Sequence, residues 1–589
     1  MSAIREIWWS GSSGMLIASK DATGSEQTEL VVFDIRAERW RSLPAIPGGE
    51  RRLVALGPSG TDDILAETNA RDPAFFDVWR VNLRTGAAQE AMRNDRFTWL
   101  YADSNLSVRL AEAPREDGGV TFHSRAPDGG WRPLIEIPPD DEALSRPLRI
   151  YETLYAFGPG NAEVYARDSR GRDTAALAAW NLETGSTRLI AADALSDIAA
   201  AAIDPTSREV LAWAAEYDRP TITAAPGAKD VFAALRASVG EDVWPVSQSA
   251  NGRKWIVAHP AADRPTNYHL FDRDGCAGVP LFSSRPDLGG LTLATMTPHL
   301  VRARDGLELV CYVTRPPGAP SGPLPLVVLI HGGPWIRDRW EFDPWIQLLA
   351  NRGYAVLSTN FRGSSGLGKA FLNAGNREWG GAMLDDVIDT VRWALDEDIA
   401  APGRIAAMGA SFGGYSVLSA LAREPDLFAC GVDIFGVSDL VTFLQAIPAH
   451  WKALKDMWRR RVGDVDTAEG RSFLASRSPL NAADRIKAPV LILQGGVDPR
   501  VKEQESRQIA AALQARGVET TYVLFPTEGH SFFQPANELF AFACIEAFLS
   551  KWLGGAAEPF GEEARRAEAR LPLGEGRLPG LANALARAG

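Results

Sequence analysis

Cysteine is scarce: Cys276, Cys311, Cys430 and Cys544 are the four in 589 residues, and no two form a CxxC pair. A disulfide-stapled secreted scaffold is thereby excluded. Histidine is nearly as sparse, seven in all, with no HExxH or comparable ligand spacing. The sequence therefore supports no structural zinc, and no metal is expected. No apolar run approaches the ~18 residues that would suggest a membrane span. The opening MSAIREIWWSGSSG also lacks the apolar stretch of a secretory signal, so a cytoplasmic protein is the expectation. Positive charge is short as well: 62 basic against 74 acidic side chains give a net charge of -12. No basic tail or stripe is available to meet phosphates, so neither nucleic acid nor a membrane is an expected partner. The glycine clusters at 332–333 and 409–414 match neither a P-loop nor GxGxxG, and no organic cofactor is implied.

What is present divides into two halves, in a chain long enough for two or more domains. Residues 1–295 read as short strands separated by turns: ELVVFDI at 29–35, FDVWRVNL at 76–83, EVYARD at 163–168, REVLAWAAEY at 208–217 and KWIVAH at 254–259. The phrase NLxTG occurs twice, ending at Gly86 and Gly185, and Asp-Gly turns follow at 128–129 and 274–275. Glycine suits such turns because it takes positive φ at little cost. The spacing from turn to turn fits pairs of four-stranded blades of about 45 to 50 residues, as in a β-propeller. Many of the 18 tryptophans lie in this half and could fill the space between twisted sheets. A β-sandwich or stacked barrels is the alternative, and the blade number stays open.

From residue 296 the period changes. PLVVLIHGG at 325–333, YAVLSTNFRG at 354–363, the run at 405–408, VDIFG at 432–436, PVLILQGG at 489–496 and TTYVLF at 520–525 read as apolar strands. Helical patterns alternate with them, including 345–353, 382–396, 504–517 and 537–553. Apolar strands between helices indicate an α/β domain with a mostly parallel, doubly wound sheet over 296–553. Residues 554–589, rich in Gly, Ala, Pro, Glu and Arg, read as a loose tail or an oligomer contact.

Gly409-Ala410-Ser411-Phe412-Gly413 is a GxSxG phrase between a strand at 405–408 and a helix at 415–422. A serine on a tight strand-to-helix turn needs small neighbours, and the turn lifts its Oγ above the sheet edge. Downstream, Asp498 follows one strand and His530 follows another, in the chain order Ser, Asp, His of an α/β-hydrolase. His530 would take the Ser411 proton, and Asp498 would hold the imidazole. Asp484 is a nearby alternative carboxylate, and Glu528 could orient the histidine loop. The oxyanion of an acyl-transfer intermediate needs main-chain donors. Phe412 N–H is one, and the loop IHGGPW, with Gly332 and Gly333, supplies the second. His331 either lends a donor or is a satisfied structural histidine.

These phrases carry a resemblance. HGGPW at 331–335, NRGYAV at 351–356, NFRGSSGLG at 360–368, GASFGGY at 409–415, VDPRVKEQES at 497–506 and EGHSF at 528–532 resemble the prolyl oligopeptidase family of serine peptidases. The acylaminoacyl-peptidase and aminopeptidase branch is the nearest. The resemblance implies a β-propeller over an α/β-hydrolase domain, and a triad of Ser411, Asp498 and His530. It also implies an oxyanion site of Phe412 and the glycine loop, most directly Gly333. The prolyl-oligopeptidase and dipeptidyl-peptidase branches carry a tyrosine where this chain has His331. No clear paired-glutamate phrase of the dipeptidyl peptidases occurs in the first half, which disfavours dipeptide removal. Short peptides are the implied substrates, with self-association as a dimer or larger ring compatible. Trp335, Arg337, Arg339, Trp451 and Trp458 are candidates for contacting substrate, each with packing or solvation as the plainer alternative. A carboxylesterase or small-molecule amidase would use the same triad, and a non-catalytic propeller module is the remaining alternative.

Overall fold

The computed structural model describes residues 3–21, 26–43, 46–141, 156–447 and 455–586. The N-terminal region is a six-bladed β-propeller, its antiparallel sheets following one another along the chain. Among the described residues the sheets at 3–42, 51–92, 99–137 and 244–283 have four strands, and those at 163–191 and 198–224 have three.

Two compact units divide the chain. One comprises 1–192, 207–209 and 447–460; the other comprises 193–206, 210–446 and 461–589. In the first, apolar faces of successive sheets close on one another. Trp180 is fully buried and its ring tilts against Phe122 of the preceding sheet, 5.1 Å between centroids. The two NLxTG turns are built alike: Asn82 Oδ1 accepts from Arg84 N and Thr85 N, and Asn181 Oδ1 accepts from Glu183 N and Thr184 N. Gly86 and Gly185 then take positive φ, 75° and 71°. In the second unit, Trp255 fills the same kind of space against Phe232 and Phe271. There the FDRDG turn departs from expectation. Cys276 rather than Gly275 carries the positive φ, 49°.

The mostly parallel sheet lies in the second unit. Its strands are β1 Thr295–Arg302, β2 Glu308–Arg315, β3 Leu324–Ile330, β4 Ala355–Thr359, β5 Ala400–Ala410, β6 Cys430–Ile434, β7 Val490–Gly495, β8 Thr520–Phe525 and β9 Arg570–Leu573. Their order is β1-β2-β4-β3-β5-β6-β7-β8-β9. The run from β4 through β8 is parallel, with antiparallel pairs at both margins. The main helices are α1 Pro344–Asn351, α2 Ala382–Asp396, α3 Phe412–Arg423, α4 Glu503–Ala515 and α5 Pro535–Leu553. Strand β5 is longer than the apolar run alone indicates. The exposed Pro402-Gly403-Arg404 interrupts its register with β3 between Ala400 and Ile405. Parallel pairing sends the carboxyl ends of β3, β5, β6, β7 and β8 to one edge, where open α/β sheets carry their ligand-facing loops.

The segment after α5 is folded onto this sheet. Strand β9 pairs with β8, and Ala564, Leu578 and Leu581 are buried.

Candidate active site

Ser411 stands between β5 and α3 with φ 60°, a conformation that costs a non-glycine residue roughly 1–3 kcal/mol and persists only where its surroundings enforce it. Close main-chain packing does the enforcing. A Cβ on Gly413 would run into Ile330 O, and one on Gly409 would lie 2.6 Å from Gly413 C. The turn is pinned across the sheet by Ser411 N–H donating to Ile434 O at 2.8 Å. The hydroxyl makes no helix-capping hydrogen bond. Phe412, the first residue of α3, offers a main-chain N–H without an intrahelical partner. Its ring is buried against Trp379 and Phe361, so the side chain packs beneath the turn.

The loop after β3 lies alongside. A Cβ on Gly332 would sit 3.6 Å from Ser411 Cβ and 3.0 Å from Ala410 O, a tight fit that brings this loop close against the serine turn. Gly333 has φ 108°. His331 is buried and stacks on Phe361, 4.3 Å between centroids. Burial pushes its pKa down to about 4, so the ring is neutral. Nδ1–H then donates to Gly332 O at 2.8 Å, and Nε2 lies 2.9 Å from the Ser364 hydroxyl, whose one proton is shared between this nitrogen and Phe361 O at 2.7 Å. Ser364 belongs to the NFRGSSG phrase. That phrase is held by Arg362, which makes a bidentate pair with the buried Asp386 at 2.9 and 2.7 Å.

Asp498, beyond β7, is buried. Its Oδ1 accepts from Arg500 N and Val501 N at 2.8 and 2.9 Å, and its Oδ2 accepts from His530 Nδ1–H at 2.6 Å. This fixes the tautomer that leaves His530 Nε2 as a base. Asp484 is exposed on a 3-10 segment, Pro479–Arg485, and Asp498 is the carboxylate on the histidine. The His530 ring rests on Phe435, 5.6 Å between centroids. Phe435 directly follows Ile434, the residue that receives Ser411 N–H. The serine turn and the histidine ring thus flank the same end of β6.

Of the candidate substrate contacts, Arg337 is committed elsewhere. Its guanidinium donates to Glu216 O and Tyr217 O at 2.7 and 2.5 Å, which removes it as a free receptor for a peptide carboxylate. Arg339 is paired with Glu216. Trp335 carries the Arg461 guanidinium 5.6 Å from its ring centre. Trp458, on the helix Lys455–Arg461, is buried; Trp451 lies outside the described residues.

Two residues escaped the sequence reading. Phe435 backs the histidine ring from a positive φ of 53°. Asp433 is fully buried on β6 against Gly414 and Gly436, and burial, opposed only in part by the Gly436 main-chain N–H, pushes its pKa up to about 7. A charged residue inside the apolar run CGVDIFG was the available signal. Among the described residues no group of acids, cysteines and histidines could hold a metal ion, and no helix is long and apolar enough to cross a membrane.

Comparison with known proteins agrees with this geometry. The model of the prolyl oligopeptidase family matches residues 340–556. Dipeptidyl aminopeptidase BIII of Pseudoxanthomonas mexicana is 39% identical over 591 residues, 99% of this chain and 85% of that protein. Dipeptidyl peptidase family member 6 of Caenorhabditis elegans is 32% identical over 94% of this chain and 79% of its own length. Among solved structures, a Mycobacterium tuberculosis puromycin-hydrolyzing peptidase shares the fold, with a TM-score of 0.72 at 21% identity over 95% of this chain and 87% of its own. Identity of this extent along nearly the whole length, with the family model falling on the sheet that carries the serine and histidine turns, means that this chain belongs to the prolyl oligopeptidase family of serine peptidases.

Proposed function

We propose that this serine peptidase works from the amino terminus of short peptides, releasing dipeptides through an acyl-enzyme on Ser411. The observation that carries the reading is the 2.6 Å hydrogen bond from His530 to the buried Asp498, beside a serine forced into a strained turn. Ser411 Oγ attacks the scissile carbonyl carbon while His530 Nε2 takes the hydroxyl proton. The N–H groups of Phe412 and Gly333 receive the oxyanion. The C–N bond then breaks, with the proton passing from His530 to the leaving amine. A water, deprotonated by His530, releases the acyl fragment as a carboxylic acid.

The choice of dipeptides is supported by the names of the two relatives matched along nearly the whole chain. Those names outweigh the missing paired-glutamate phrase, which on sequence alone pointed away from dipeptide removal. The same reading takes 1–295 as the propeller, 296–553 as the catalytic domain and 554–589 as an extension of it, in a cytoplasmic enzyme. Self-association belongs to the reading too, supported by the edge strand Ala277–Ser283, which exposes Val279, Leu281 and Phe282. Light scattering that finds a monomer at micromolar concentration would remove that part.

The test is digestion of a defined library of free, N-acetylated and internally extended peptides by wild type and Ser411→Ala, read by mass spectrometry. Cuts two residues from a free amino terminus, lost in the variant by about 10⁶-fold, are expected. Full turnover by folded S411A overturns the mechanism. Cuts at acetylated termini replace dipeptide release with acylaminoacyl release. Fluorophosphonate labelling without any peptide cut moves the activity to esters or simple amides.

A further inference from the structure

The histidine loop is held by Glu528, which the sequence offered as an orienting residue, and by the C-terminal segment, which it offered only as a loose tail or an oligomer contact. Glu528 is buried two residues before His530, and its carboxylate points back into its own loop. Oε2 accepts from Phe533 N at 2.8 Å, and Oε1 accepts from Gln534 N at 3.0 Å and from Asn537 Nδ2 at 2.7 Å. Three donors satisfy this buried charge and close the loop from 528 to the first turn of α5. Asn537 is itself buried, and its other amide atom is engaged as well. Asn537 Oδ1 accepts from the main-chain N–H of Glu568 at 2.8 Å. Glu568 lies two residues before β9, in the segment that follows the catalytic helices. Its carboxylate returns to the other end of the loop, accepting from Thr527 Oγ1 at 2.9 Å, and Thr527 Oγ1 in turn accepts from Gln534 Nε2 at 2.8 Å. The C-terminal segment therefore grips both sides of the His530 loop, and its next residues add β9 to β8, the strand from which that loop springs.

We infer that the C-terminal extension is a strap that sets the position of His530, with Glu528 and Asn537 as the positioning residues that transmit its grip. The inference rests on the reading of Ser411, Asp498 and His530 as a triad. Glu528, Asn537 and Glu568 need not touch substrate. Their effect is on the placement of Nε2 relative to the serine, where a shift of ~1 Å costs on the order of 100-fold in rate.

Two substitutions cut the chain of bonds at different links. Asn537→Asp keeps the acceptor for Glu568 N–H but sets a second carboxylate against Glu528. Glu568→Pro removes both strap contacts, the main-chain donor to Asn537 and the carboxylate that accepts from Thr527. The readout is kcat per active site, with sites counted by fluorophosphonate titration, together with KM and the melting temperature. A merely structural defect lowers the number of sites; a displaced histidine lowers turnover at each site. N537D is expected to lose about 10- to 100-fold and E568P about 5- to 20-fold in kcat per site, with KM little changed. Should E568P fail to fold, the pair Thr527→Val with Glu568→Ala removes the side-chain arm of the strap, with a loss of about 2- to 5-fold expected. Wild-type kcat per site in every folded variant overturns the strap. Absence of fluorophosphonate labelling at Ser411 in the wild type overturns the triad reading instead.

Discussion

The two ends of the catalytic edge are held by different physics. At the β5 end, Ser411 is fixed by exclusion: main-chain atoms of Ile330 and Gly413 crowd Gly409 and Gly413 so closely that no Cβ fits. At the β8 end, His530 is fixed by attraction, through the carboxylates of Asp498 and Glu528 and the donors they gather. Steric fixation is insensitive to pH and salt but admits no larger side chain, because overpacking a close main-chain contact displaces the backbone itself. Hydrogen-bond fixation tolerates shape but depends on charge. A damaged serine turn should therefore cost stability and activity together, and a damaged histidine loop should cost activity first.

Asp498→Asn gives the largest split. The amide preserves the volume but cannot hold the imidazole in the required tautomer, and kcat should fall about 10⁴-fold, as for a triad aspartate elsewhere. The melting temperature should stay within a few degrees. A loss of ten-fold or less would mean that another carboxylate serves His530. Gly413→Ala tests the opposite end. Its methyl meets Ile330 O, so kcat/KM should fall about 100- to 1000-fold and stability by about 1–3 kcal/mol. An alanine variant with wild-type melting and full activity would show that the turn is not sterically held.

The contrast also explains what was legible in the amino-acid sequence. GxSxG, HGG and the downstream Asp and His could be placed because steric and catalytic demands at those points admit few residue types, and a parallel sheet aligns strand ends whatever the spacing between them. The blade count resisted because, among the described residues, Thr187–Ala191 and Pro220–Ala224 end three-stranded sheets, where the sequence repeat is least regular. The helix Lys229–Val239 breaks it further. Arg337 suggested a carboxylate receptor because sequence shows its charge but not the carbonyls of Glu216 and Tyr217, which lie more than a hundred positions away. The strap was invisible for the same reason. Its link to the loop runs through the main-chain N–H of Glu568, a donor every residue but proline possesses.

Asp433 sits between the two regimes, a titratable side chain held mostly by packing, with the Gly436 main-chain N–H beside it. Its carboxyl has a pKa of about 7 in the folded chain against an ordinary 3.8. Between those values the folded state keeps a proton that the unfolded state has lost. Stability must therefore decline as pH rises through that window, by at most about 4 kcal/mol. Asp433→Asn removes the ionisation, so the drop in melting temperature from pH 5 to pH 8 should narrow relative to wild type. An unchanged pH slope in D433N would show that the carboxyl is ionised and stabilised despite its burial.

His331 is expected to give the smallest effect, although it stands beside Ser411 in the phrase most suggestive of catalysis. Both ring nitrogens are spent within the loop, on Gly332 O and the Ser364 hydroxyl, and no N–H is left to aim at an oxyanion. The neutral state is enforced by burial, with a pKa of about 4. Since the folded pKa is depressed, the folded chain binds fewer protons than the unfolded between pH ~4 and ~6.5, and stability is lost as pH falls through that range. No limb of the activity profile above pH ~5 should then belong to this residue. His331→Gln can recover one of the two loop hydrogen bonds but not the stack on Phe361, so a cost of about 1–2 kcal/mol in stability is expected. Turnover per site should fall less than about 10-fold. Removal of a true oxyanion donor costs about 100- to 1000-fold in kcat. A loss of that size in a well-folded H331Q would transfer His331 from the scaffold of the loop to the chemistry.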